Sequence, residues 1–247
     1  MNHLEHCDAL EFEVARFADV LASVDHTTSV ASCPGWTVGD VAEHLGLVHR
    51  WATALVERRA PARISFGELG LTSAVATPRW IEDGGSVLVA TLRACDPDVA
   101  MWSWGLDQHA RFWSRRQLHE TLVHRMDIEL AVGRTPEAPS DLAIDAIDEF
   151  LVNLGSARRF SPDVEELRGH GERIGFHVLD RDARWTATLL EDRFVVANDD
   201  GDVDAELTGR ALDLLLTLYR RTPLAAAVAI EGDRRLVDFW IDHSALG

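Results

Sequence analysis

A chain of 247 residues with 47% hydrophobic side chains is long enough and apolar enough for one large domain or two modest ones. Its formal net charge of -17 argues against binding a nucleic-acid backbone or an anionic membrane, since both need clustered Lys and Arg. All 24 basic residues are arginine, which removes a Schiff-base lysine and a P-loop lysine from the candidate chemistries. Cys7, Cys33 and Cys95 are odd in number, widely spaced and without a C-x-x-C pair, a pattern that suits a reducing compartment. The opening MNHLEHCDALEFE is acidic and lacks an apolar signal core, and no run approaches the ~20 apolar residues of a membrane span. The expectation is a soluble, cytoplasmic protein.

Residues 4–23 carry Leu10, Val14, Phe17 and Leu21 at helical spacing. Cys33-Pro34-Gly35-Trp36 is a turn, after which Thr37 can cap a helix with Asp40 as its capping-box partner. That helix runs over 38–58 on the stripe Val41, Leu45, Val48, Ala52 and Leu55, with His44 at the edge of its inward face and His49 on the opposite edge. Residues 59–72 form a loop, and a third helix is expected over 73–95, loosely defined by Pro78 and Gly84-Gly85. After a second loop with two tryptophans, a fourth helix covers 113–131 and ends at Gly133 and Pro136. A fifth helix is expected over 140–158. Beyond residue 160 the pattern changes to short strands at 174–179, 185–190, 194–197 and 203–207, a leucine-rich helix over 211–219, a buried strand over 225–230 and a last helix through Phe239 and Trp240. The architecture is a helical bundle followed by a small α+β domain.

The stretch WSRRQLHETLVHRMDIELA puts Glu120 and His124 four residues apart, with Cβ atoms about 5–6 Å from each other on one helix face. Trp113, Gln117, Asp127 and Ile128 fall near the same line. A carboxylate and an imidazole so placed can share a metal ion, and a catalytic site needs a third protein ligand and an open position. His44 is the best placed third candidate, because its helix face must point into the bundle. A His/Glu/His set suits Zn²⁺, and Ni²⁺, Fe²⁺ or Mn²⁺ less selectively. Asp127 can orient a ligand from behind. The competing reading is a chance pair on a solvated helix, in a chain with 11 histidines. His109, His119, His170 and His177 have no matched partner and read as surface or structural. Cys33 reads as a packed or partly exposed thiol, Trp36 and Trp51 as core, and Arg115-Arg116 as a solvated face. Asp199-Asp200-Gly201-Asp202 lacks the terminal Glu of a calcium loop and reads as a turn.

CPGWTVGDVAEHLGLVHRW (33–51) followed by FWSRRQLHETLVHRMDIELAVG (112–133) resembles the mycothiol-dependent maleylpyruvate isomerase family of the DinB-like metalloenzyme superfamily. LTGRALDLLLTLYRR followed by AIEGDRRLVDFW is similar to that family's C-terminal domain. The resemblance implies an α+β protein: a DinB-like four-helix bundle with a metal site over 1–136, then a small sterol-carrier-like α+β domain over 137–247, with helix 140–158 packing on either. It maps the metal ligands onto His44, Glu120 and His124. It maps a substrate-binding arginine onto Arg221, with Arg220 standing where a small residue is expected and competing for the role.

The resemblance further implies an enzyme with a divalent metal, Zn²⁺ foremost, and mycothiol as a thiol co-substrate. The nucleophile of such chemistry is the thiolate. Addition to an alkene followed by elimination would isomerise it from cis to trans; attack on an epoxide, halide or activated sugar would be an S-transferase reaction. The alternatives are a DinB-like metal-dependent hydrolase, which needs no thiol, and a non-catalytic small-molecule binding protein. The partners are a small electrophile and the thiol, with no nucleic acid and no membrane. The identity of the electrophile and the oligomeric state are not written in the sequence.

Overall fold

Helix starts in the first part of the chain are set by short polar side chains that take up free amides. In α1 (His3–Ala22), Asn2 accepts from the Leu4 and Glu5 amides while Glu5 returns a bond to the Asn2 amide. In α2 (Val38–Glu57), Thr37 and Asp40 form the expected capping box. The third helix starts later than expected. Residues 73–77 are irregular, and α3 (Pro78–Ala94) opens with Thr77 as cap and Pro78 in its first turn. Proline suits that position because its missing N–H would be unbonded there anyway. The fourth, α4 (Ala110–Ala131), begins three residues before its expected start.

This structure, a computed structural model describing residues 1–224 and 228–245, divides into two units, Met1–Pro136 and Glu137–Gly247. In the first, α1 and α2 each pack against both α3 and α4, so they stand at diagonal corners of a four-helix bundle. Gly84 and Gly85 lie buried in the middle of α3. A Cβ on Gly85 would come within 2.5 Å of Val14 on α1, and one on Gly84 within 2.4 Å of Arg50 on α2. The pair therefore sets a close approach to both neighbours, which outweighs its low helix propensity of about 1 kcal/mol per glycine.

Helix α4 is enclosed on nearly every side, so the solvated reading of its polar face fails. Arg116, Gln117, Arg125, Asp127 and Glu129 are all buried. Arg125 is wholly buried and donates from Nε to Glu13 of α1 at 2.6 Å and from Nη1 to Glu129 at 2.5 Å. Trp113 packs edge-on against Trp51 with centroids 5.2 Å apart and donates its indole N–H to the Trp102 carbonyl at 3.1 Å. Among the described residues, no helix is long and apolar enough to cross a membrane.

His49 is fully buried between α2 and α4, its Nε2 2.9 Å from Thr121 Oγ1. Thr121 spends its own hydroxyl proton on the Gln117 carbonyl at 2.7 Å, so it accepts from His49 and selects the Nε2–H tautomer. Burial pulls the His49 pKa from 6.5 down to about 3. Below pH 6.5 the unfolded chain therefore binds a proton that the folded chain refuses until about pH 3. The His49 contribution is complete above pH 6.5 and is lost as the pH falls through that window. The urea midpoint of the wild-type protein is expected to fall more steeply between pH 7 and pH 4 than that of His49→Gln, which keeps a donor for Thr121. Parallel curves would show that His49 does not carry this dependence.

In the second unit, α5 (Ser140–Asn153) stops five residues before its expected end. The chain tightens there into 3₁₀ turns at Leu154–Arg159 and Pro162–Glu166. Gly155, Ser156 and Pro162 all weaken a continued α-helix. The strands are β1 (Arg173–Val178), β2 (Ala183–Leu189), β3 (Phe194–Ala197), β4 (Ala205–Gly209) and β5 (Ala229–Gly232). They form one sheet in the order β3-β2-β1-β4-β5, with only β1 and β4 parallel. Helices α6 (Ala211–Leu218) and α7 (Arg234–His243) also belong to the unit.

Trp240 of α7 anchors the core of this unit against Phe176 and Phe194, each with centroids 5.4 Å away. Of the expected buried strand over 225–230, residues 225–227 lie outside the described residues. The observed β5 is an edge strand with Ala229, Glu231 and Gly232 exposed. The acidic run is a turn, as expected: Asp199 Oδ1 accepts from the Gly201 amide at 3.1 Å.

Candidate metal centre

His44 comes from the inward edge of α2, and Glu120 and His124 from one face of α4. His44 Nε2 lies 3.0 Å from Glu120 Oε1, and His124 Nε2 lies 3.3 Å from the same oxygen. The two imidazole rings meet edge to face, 5.1 Å between centroids. One ligand atom from each of the three residues lies within 4.8 Å of the others. Two ligand atoms bound about 2.0–2.1 Å from a tetrahedral ion stand roughly 3.3 Å apart, so the donor spacing and the donor chemistry both fit a divalent metal.

The far side of His124 is held as firmly as the near side. Its Nδ1 lies 3.0 Å from Oδ2 of the fully buried Asp127. Asp127 Oδ1 accepts from Ser32 Oγ at 2.6 Å, and Oδ2 is 3.5 Å from Cys33 Sγ. With the Nδ1 proton donated to Asp127, Nε2 faces Glu120 and His44, and giving up its own proton would turn a lone pair toward them. Cys33, His124 and Asp127 also bring donor atoms within 4.8 Å of one another. The thiol is thus partly buried as expected, but its place beside a candidate ligand was not anticipated.

The charges agree with this arrangement. Burial alone would raise the Glu120 pKa; Arg116, His124 and His44 outweigh it and hold the carboxyl well below the usual carboxylate range. Burial alone would lower the His124 pKa; hydrogen bonds with Asp127, Cys33 and Glu120 outweigh it and hold the imidazole well above the ordinary histidine value. Between Glu120 and Asp127 the fold stabilises a positive charge, which is what a bound cation supplies.

Arg116 corrects the expectation of a solvated arginine pair. It is only 6% exposed and donates from Nη2 to Glu120 Oε2 at 2.7 Å. Its guanidinium carbon lies 5.8 Å from the centre of the Trp104 ring. Trp36 is likewise not core: it is 36% exposed, with its ring centroid 5.1 Å from that of His44. His119 is fully buried and meets His6 edge to face, a structural role. The signal for Arg116 was present as an i,i+4 pair with Glu120. Nothing local in the sequence pairs Ser32 or Cys33 with Asp127, because 95 and 94 residues separate them.

Arg221 belongs to the second unit. It follows Arg220, which takes the left-handed position after α6 with φ of 59°, where a small residue is easiest to accommodate. Arg221 donates its backbone amide to the Leu216 carbonyl at 2.7 Å and its Nη1 to the Tyr219 carbonyl at 2.7 Å.

Two family descriptions match the chain: the mycothiol maleylpyruvate isomerase N-terminal domain over residues 7–129, and the MDMPI C-terminal domain over residues 141–239. Among solved structures, the fold is similar to that of a mycothiol-dependent maleylpyruvate isomerase, with a TM-score of 0.62 and 12% identity over 94% of this chain and 93% of that one. A histidine-to-alanine mutant described under the same enzyme name aligns with a TM-score of 0.61 and 11% identity over the same shares of both chains. No curated protein matches the sequence.

Proposed function

The chain belongs to the mycothiol maleylpyruvate isomerase family, and from that premise we propose that it uses mycothiol to isomerise, or to accept onto sulfur, a small electrophilic acid in a metal-dependent reaction. The observation that carries this reading is the convergence of His44, Glu120 and His124 with donor atoms within 4.8 Å of each other. A divalent ion held by these three, with zinc the best match to two imidazoles and a carboxylate, would supply the positive charge that lowers the pKa of a thiol toward neutrality. Asp127 fixes the His124 tautomer, and Arg116 keeps Glu120 charged. The partly exposed Trp36 ring offers an apolar wall beside His44.

In the isomerase form, the thiolate adds to a cis alkene and makes a C–S bond. The former double bond then rotates, and elimination breaks the same C–S bond. Thiol and trans alkene leave together, so no atom is gained or lost. In the S-transferase form, the C–S bond is kept: the carbanion left by addition takes up the proton that the thiol gave up, or, where the electrophile carries a leaving group, that group departs with its bonding pair. Arg221 is the proposed anchor for a substrate carboxylate through a charge-assisted hydrogen bond.

Turnover of maleylpyruvate by the purified protein, followed by its ultraviolet absorbance, is expected to require mycothiol. Equal rates with and without thiol would remove the proposal and favour a hydrolase. Arg221→Ala is expected to raise KM for the acid about 10- to 100-fold, the value of one hydrogen bond to a charged group. Arg220→Ala is expected to leave KM near wild type. The reverse pattern would move the anchor to Arg220.

A further inference from the structure

We propose that Arg116 is a positioning residue that makes Glu120 a one-oxygen ligand and so keeps a coordination position open for the thiol. The inference rests on the metal reading above and extends it to a residue outside the ligand set.

The two oxygens of Glu120 do different work. Oε1 faces both histidines, at 3.0 Å from His44 Nε2 and 3.3 Å from His124 Nε2. Oε2 accepts from Arg116 Nη2 at 2.7 Å. Arg116 lies one turn before Glu120 on α4, is buried, and has the Trp104 ring beside its guanidinium. For Glu120 to chelate through both oxygens, the carboxylate would have to turn Oε2 toward the histidines and so pull it from its 2.7 Å contact with Arg116. That would weaken a partly buried charge-assisted hydrogen bond, a change that costs free energy. A carboxylate on an exposed helix would face no such restraint. Three single-atom donors and one water would make a four-coordinate ion whose water the thiol can replace; a two-oxygen Glu120 beside the same water would make it five-coordinate and crowd the thiol.

A simple helix-stabilising pair would make a different prediction. It would allow Arg116→Met to weaken the fold or the metal site, but not to change how Glu120 binds. The test uses full-length protein loaded with Co²⁺, whose visible bands are intense in four-coordinate sites and weak in five-coordinate ones. Wild type is expected to show the intense bands. Arg116→Met is expected to bind one Co²⁺ no more weakly than wild type, to lose several-fold in band intensity, and to bind mycothiol about 10- to 100-fold less tightly in a titration followed in the cobalt spectrum. Arg116→Lys, which keeps a positive charge and a donor, is expected to stay nearer to wild type.

Unchanged band intensity and thiol affinity in Arg116→Met would overturn the inference. Should that variant not fold, the wild-type spectrum still decides, because five-coordinate bands in the wild type also overturn it. Wild-type protein that takes up no Co²⁺ would remove the metal reading itself, whereas normal uptake with unaltered Arg116→Met removes only the role given to Arg116.

Discussion

His124→Ala protein, expressed with added metal, is expected to hold no stoichiometric divalent ion and to lose about 10³-fold in mycothiol-dependent turnover, with its helix content intact. His124 is the hinge of the candidate centre, because it touches both carboxylates. Its Nε2 faces Glu120 and its Nδ1 faces Asp127. Removing it takes away a ligand and leaves Asp127 buried without its imidazole partner. A metal ion contributes several kcal/mol of charge stabilisation, and each 1.36 kcal/mol is tenfold in rate, which gives the expected magnitude. The side chain is small and partly exposed, so the bundle should survive its loss. Elemental analysis and far-ultraviolet circular dichroism check the two halves of the claim. Full metal occupancy in His124→Ala would show that the three residues do not form the site.

Arg125→Met is expected to destabilise the first unit by about 3–5 kcal/mol, seen as a fall of roughly 10 °C in its thermal transition. Arg125 has no exposure to solvent, and its partners Glu13 and Glu129 are 1% and 7% exposed. Methionine fills much of the space but leaves Glu13 and Glu129 buried with the longer contacts to Arg16, at 3.4 Å and 3.9 Å, in place of the short bonds to Arg125. The cost comes from those two buried and less well compensated charges rather than from the lost bonds. The triple variant Glu13→Leu, Arg125→Met, Glu129→Leu should therefore recover most of the loss. A fall of less than about 1 kcal/mol in the single variant would place the pair among surface-like ion pairs.

The helical bundle and the α+β tail were legible from periodicity, and so was the capping box at Thr37, because each depends on neighbours in the chain. Glu120 and His124 share a face for the same local reason. Other features were decided by tertiary packing. An amphipathic reading of α4 fails because the helix buries charged residues as pairs: Arg125 meets Glu13 from another helix, and Arg116 meets Glu120. Gly84 and Gly85 look like helix breakers until the close neighbours on α1 and α2 are known. Trp36 looks like core because tryptophan usually is, yet it lies at the surface beside His44. The contact of Ser32 with Asp127 crosses most of the bundle's sequence and leaves no local trace.

That contact has a consequence for how the chain tolerates changes of length. The turn between Val30 and Trp36 is tied at both ends, with the Val30 amide bonded to the Trp36 carbonyl and Ser29 bridged to Thr37. Its middle carries Ser32 and Cys33 onto Asp127, and its end runs directly into the helix that bears His44. One added or deleted residue there would shift Ser32 off Asp127 and change how α2 enters the bundle. The stretch 67–73 is mostly exposed. Insertions and deletions should accumulate over 67–73 and be purged from the turn at 30–36, so that the connection between α1 and α2 acts as a ruler for the site.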